Sequence, residues 1–251
     1  SKGLRKVYEN ITFGNNSTAT FGNPDGTSFG TLNSRINGNF IMGSGSDGSI
    51  TGAFVEMGGI VSIGDNSEYH FADQTQFEGS VILGSSSGTN YVFSNDADFE
   101  GAVLLNGTAS LTLSGTTSFQ STVTISSDIS FINNSFPTVT SNGLWNLGNS
   151  ATIKIGNGNN GAWTFNANID VNRNEVTINT GTSTTTFNTL NINGAAFILE
   201  SNVSFNGDVN IETGNNVDFI TDETTIISNS NWMLNGTSRT RLVKKGCLLY
   251  T

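Results

Sequence analysis

The chain has 251 residues, a net charge of −10 and only 12% charged side chains, roughly half of the usual share. Gly, Ser, Thr and Asn fill about half of it, yet 35% of residues are apolar and 17 are Phe, so a core can form and disorder is excluded. Helix formers are scarce, no apolar run reaches the roughly 20 residues of a membrane span, and only ten Lys and Arg argue against nucleic acid as a ligand.

The chain begins at Ser1 with no secretory signal in view, as a processed product or a fragment would. Residues 1–40 are rich in Gly and Asn with scattered Phe13, Phe21 and Phe29, and read as an N-terminal attachment or cap region. Residues 41–220 carry a repeat. A Phe is followed four and six residues later by aliphatic side chains: Phe77, Val81, Leu83; Phe99, Val103, Leu105; Phe119, Val123, Ile125. The pattern returns as Phe165, Ile169, Val171 and Phe205, Val209, Ile211, with a shortened copy at Phe187, Leu190, Ile192. A second alternating element precedes many of these Phe residues, as Tyr69 and Phe71, Tyr91 and Phe93, Leu111 and Leu113, and Phe197 and Leu199.

Alternation at period two sends apolar residues to one face and Thr, Asn or Ser to the other. Corners such as Asn106-Gly107 and Asn157-Gly158-Asn159-Asn160-Gly161 allow tight turns. One unit is too small to bury its own apolar face, but stacked units share a core. The expected fold is therefore all-β: a β-solenoid, or β-helix, with rungs of about 20 residues and a rod about 50 Å long. Phe77, Phe99, Phe119, Phe165, Phe187 and Phe205 would stack inside, as would Val81, Val103 and Val123. A sandwich or barrel is the competing reading. Residues 126–152 break the repeat at Pro137 and read as an irregular rung or junction, and residues 221–251 read as a C-terminal junction or cap.

Charge is segregated. No Lys or Arg lies between Ile36 and Ile153, while basic residues gather at both ends, among them Arg35, Arg239 and Arg241. Acidic faces keep exposed strands from sticking together, and basic ends offer contacts for end-to-end joining. Cys247 alone supports neither a disulfide framework nor a cysteine zinc site.

Several groups carry possible chemistry. Asp96, Asp98 and Glu100 alternate, so on one strand they would share a face and could hold Ca²⁺; no other cofactor is expected. Asp65, Glu68, Asp73 and His70 form the densest titratable cluster and offer carboxylates for glycan cleavage. A solvated acidic face is the plainer reading of both, and no catalytic residue is assigned. Trp145 and Trp163 flank polar corners and are the candidates for stacking against sugar rings. An ice-binding solenoid would need a flat, regular Thr ladder, whereas Thr184, Thr185 and Thr186 are clustered along the chain.

Ser204-Phe205-Asn206-Gly207-Asp208-Val209-Asn210-Ile211 and Phe77-Glu78-Gly79-Ser80-Val81-Ile82-Leu83 resemble the shaft repeats of bacteriophage tail fibres and tailspikes, over residues 54–220. The style is similar also to passenger domains of bacterial autotransporter adhesins. The first resemblance implies a homotrimeric β-helical fibre on a virion surface, bound to neighbouring virion proteins and to a host glycan, without nucleic acid or membrane insertion. The second implies a monomeric parallel β-helix on a bacterial surface. A polysaccharide-degrading β-helix is the third possibility. Neither resemblance carries over a catalytic or binding residue.

Overall fold

Short alternating strands separated by polar corners leave the chain one way to bury its apolar residues: to coil, with each strand lying on its counterpart one rung earlier. The computed structural model of the chain follows that path. It describes residues 6–21, 33–50, 54–71, 74–84, 89–148, 152–172, 175–193, 196–212, 216–221 and 225–244. Among the described residues there is no helix. Among these residues each rung holds three strands, and these build three parallel sheets of eleven strands each. Strands Gln74–Phe77, Val81–Gly84 and Thr89–Phe93, for example, contribute in turn to the first, second and third sheets. The all-β solenoid expected from the repeat is thus the fold. The sandwich and barrel fall away, because every strand pair is parallel and joins neighbouring rungs.

Register ties the repeat to the core. Phe77 pairs with Phe99 and Phe99 with Phe119 in the first sheet, and Val81 pairs with Val103 and Val103 with Val123 in the second. Rung length varies from 18 residues, where Thr184 meets Asn202, to 29, where Ile11 meets Phe40. Corners absorb the variation, so the strands stay in phase. Phe77, Phe99, Phe119, Phe165, Phe187 and Phe205 are all buried, with Phe77 and Phe99 stacked at 4.7 Å and Phe99 and Phe119 at 4.9 Å. Such ring pairs add about 0.5–1.5 kcal/mol beyond the area they bury.

Between the first and second sheets the corner is tight and recurrent. In Phe77-Glu78-Gly79-Ser80-Val81 and Phe99-Glu100-Gly101-Ala102-Val103 the glycines lie one above the other. A Cβ on Gly101 would sit 2.2 Å from the carbonyl oxygen of Gly79, so the close backbone approach requires glycine there.

The interruption expected at 126–152 contains a regular rung, formed by Ile129–Asn133, Thr138–Ser141 and Trp145–Leu147. Ser141 stands where the ladder has Phe, and Trp145 stands where neighbouring rungs have Val123 and Ile169. The Trp145 ring fills the missing volume, edge-on to Phe119 at 5.5 Å and to Phe165 at 5.1 Å. Its Nε1 donates to Ser141 Oγ at 2.6 Å, and that hydroxyl donates onward to the Gly143 carbonyl at 3.2 Å. The same exchange recurs at Ser228 and Trp232, with Trp232 Nε1 donating to Ser228 Oγ at 2.7 Å.

The coil also crosses the boundaries expected near 41 and 220. Ile11–Phe13 and Asn33–Ile36 on one side, and Ile226–Ser228, Trp232–Leu234 and Arg239–Lys244 on the other, are rung strands like the rest. Ile11, Phe13, Ile226 and Trp232 pack on the main core. One chain encloses that core on three sides.

Candidate functional site

With the apolar residues inside, any function of the rod belongs to its three outer faces and its corners. The expected sugar platforms are not among them. Trp145 and Trp163 are each 1% exposed. Trp163 Nε1 donates to Oδ1 of the buried Asn133 at 3.1 Å, and Asn133 Nδ2 donates to the Asn159 carbonyl at 3.1 Å. Both indoles are core residues with a polar handle inside, and neither offers a ring to a glycan. Among the described residues, Phe136 is the aromatic that projects: it is 73% exposed in a corner, with a left-handed φ of 58°.

The acidic trio does not converge. Only Asp98 lies on the strand Ala97–Phe99, while Asp96 and Glu100 fall in the corners on either side. Each is engaged by an adjacent rung: Asp96 Oδ1 accepts from the Thr116 amide at 2.7 Å, Asp98 from the Ser118 hydroxyl, and Glu100 from Gln76 Nε2 at 2.5 Å. Among the described residues no three His, Cys, Asp or Glu side chains form a set that could hold a metal ion. In the other cluster, Asp65 occupies a corner, Glu68 precedes the strand Tyr69–Phe71, and His70 lies exposed on the third sheet with Nε2 hydrogen-bonded to Ser94 Oγ at 2.6 Å. Asp73 and Cys247 lie outside the described residues.

Two basic residues from the chain ends pair within the chain. Arg35 donates through Nη1 to Glu56 at 3.0 Å and through Nη2 to Glu78 at 2.8 Å, a bridge across rungs. Arg241 pairs with Asp218 on the next rung at 2.5 Å.

The first sheet's outer face changes character along the rod. Its central column runs Arg35, Glu56, Gln76, Asp98, and then Ser118, Thr140, Thr164, Thr186, Ser204. A flanking column holds Thr116, Thr138, Ala162, Thr184 and Asn202 in the same register. At the corner edge, Asn142 Nδ2 donates to Gln120 at 2.7 Å, Asn166 Nδ2 to Asn142 at 2.8 Å and Asn188 Nδ2 to the Asn166 carbonyl at 2.9 Å. From Thr116 to Asn206 this face therefore carries hydroxyls, amides and the Ala162 methyl, and no charge.

The second sheet bears a polar groove of about 560 Å³ near the far end, lined by Asp170, Asn172, Asn191, Asn193, Asn210, Glu212, Met233 and Asn235 with parts of Val171 and Ile192. Asp170 has only acceptors, and this orients the column beside it. Asn191 Nδ2 donates to Asp170 at 2.7 Å, and Asn210 Nδ2 donates to Asn191 at 2.8 Å. Asn210 Oδ1 is left buried without a partner, next to Met233 in the register of the following rung.

Spacing in the sequence located the repeat but not these columns, because their members lie 18 to 24 residues apart and the corners between them differ in length. Compared with known proteins, the chain matches no family model, no curated protein and no solved structure.

Proposed function

We propose that the chain is a rigid structural shaft of an extracellular attachment structure, on a virion or a bacterial surface. One observation carries this reading: an unbroken aromatic and aliphatic core, from Phe40 to Phe219, wrapped by three parallel sheets of a single chain. Such a rod holds whatever lies at its ends at a fixed distance, and backbone hydrogen bonds running along its axis stiffen it. The work of the shaft is mechanical, with no reaction assigned.

Closure within one chain favours the adhesin form, a monomeric stalk. The virion form is a homotrimer, and here three closed rods would associate through their outer faces. In either form the groove on the second sheet is the place to hold a cell-surface glycan. Amide and carboxylate side chains suit sugar hydroxyls.

Light scattering on a sizing column, joined to small-angle scattering, tests the proposal. An elongated particle of 26.5 kDa supports the stalk, and three times that mass supports the virion fibre. A compact particle would overturn both. Sugar release from a glycan panel, lost in Glu68→Ala, would replace the shaft with an enzyme.

A further inference from the structure

The uncharged part of the first sheet's outer face is regular. The residues along it repeat in two directions. Neighbouring rungs are about 4.8 Å apart, and outward residues along one strand are about 6.7 Å apart. Thr138 and Thr140 lie on one strand and Thr184 and Thr186 on another; between them Thr164 continues one column, and Ala162 supplies only a methyl to the other. Pairing is one-to-one through these strands, with no bulge to bend the face.

Three further properties act together. Thr is β-branched, so its methyl and hydroxyl are held in few rotamers. Among the described residues, none of these five hydroxyls is used in a hydrogen bond within the chain, whereas the inward Thr180 and Thr185 hydroxyls bond each other at 3.3 Å. The neighbouring amides are bound into a rung-to-rung chain, so that edge is fixed as well. Finally, the patch is neutral in a protein of net charge −10. A charged side chain orients water around itself, whereas a fixed lattice of methyls and hydroxyls orders water in its own two-dimensional pattern.

From this array we propose that the first-sheet face spanning Thr116 to Asn206 binds the surface of ice. The occupant is a neutral, periodic lattice of water with repeats on the same scale as the rung and strand spacings. Hydroxyls fill oxygen positions in that lattice, and the methyl groups between them lie against its open cages. The clustering of Thr184, Thr185 and Thr186 along the chain conceals the array, since Thr185 points into the core and the other two join columns built by separate rungs.

The test uses the whole chain and a single ice crystal grown in its solution. Thermal hysteresis with faceted growth is the expected result. Thr164→Tyr and Thr186→Tyr, each placing a large ring on the face, should abolish both effects while leaving the thermal unfolding midpoint near its original value. Thr112→Tyr, outward on the third sheet, should leave both effects intact and so controls for a general loss of fold. Unhindered growth of rounded crystals at the highest soluble concentration would overturn the proposal, as would hysteresis that survives both face substitutions. A dimer that Thr164→Tyr dissociates, without ice shaping, would assign the face to a second copy instead.

Discussion

The rung that carries Phe99 and the rung that carries Ser141 build the same core by different means. In the first, a phenyl ring on the first sheet stacks on rings above and below, and a Val follows at the start of the second sheet. In the second, the large side chain moves four residues on, to Trp145, and the vacated position takes a hydroxyl that accepts the indole N–H. Volume per rung is kept while the residue pattern breaks. The unit of repetition is thus the filled cross-section rather than any one position, in line with the dense packing of protein interiors.

The largest effect should come from splitting that exchange. Trp145→Val alone should destabilise by about 3–5 kcal/mol through the cavity it leaves, and Ser141→Phe alone by about 1–3 kcal/mol through overpacking. Made together, they recreate the Phe99 type of rung and should recover most of the loss. Chemical denaturation of the four proteins gives the coupling. Additive losses would mean that the two positions do not share one space.

A smaller effect tests what the two kinds of rung have in common. Gly101 and Gly143 occupy the same corner, and a Cβ on either would meet a backbone carbonyl oxygen of the preceding rung, at 2.2 Å and 1.7 Å. Gly101→Ala and Gly143→Ala should each cost about 0.5–3 kcal/mol, read from urea midpoints. A loss at one and not the other would show that the corner is set by its own rung.

The smallest effect separates two tyrosines of the regular rungs. Tyr91 donates its hydroxyl to the Gly84 carbonyl, whereas the buried Tyr69 hydroxyl has no partner. Tyr91→Phe should therefore cost about 1 kcal/mol, while Tyr69→Phe should be neutral or stabilising. Burial raises the pKa of both phenols above the ordinary value, and for Tyr91 the Asp65 carboxylate raises it further. The folded state holds these protons more tightly than the unfolded chain. Their contribution is therefore complete below about pH 10 and is lost as pH rises through the folded pKa values. Replacing both with Phe should move alkaline unfolding, followed by circular dichroism, to higher pH.

Much of the fold was legible because burial acts on spacing that a reader can see. Phe77, Val81 and Leu83 keep their phase with Phe99, Val103 and Leu105, and parallel stacking turns that phase into register. Less of the surface was legible. Trp145 and Trp163 stand beside polar corners, which reads as exposure, but the corner bends the chain while the ring turns inward. Asp96, Asp98 and Glu100 alternate along the chain, yet the strand spans only Ala97–Phe99, so alternation does not place the trio on one face. The Thr columns depend on corner lengths that differ from rung to rung, and only the folded register brings their members together.

The direction of the backbone hydrogen bonds has a mechanical consequence. They run along the axis and tie each rung to the next, while the chain itself circles across it. A pull on a chain terminus concentrates the load at the edge of the outermost rung, whereas farther in the same tension is spread over the bonds of all three sheets. The rod should then yield by peeling, one rung at a time, and each step pays out roughly 70 Å of extended chain for about 20 residues. Its response to stretching would be a train of nearly equal events rather than a single rupture, so a tether built this way lengthens under load before it fails.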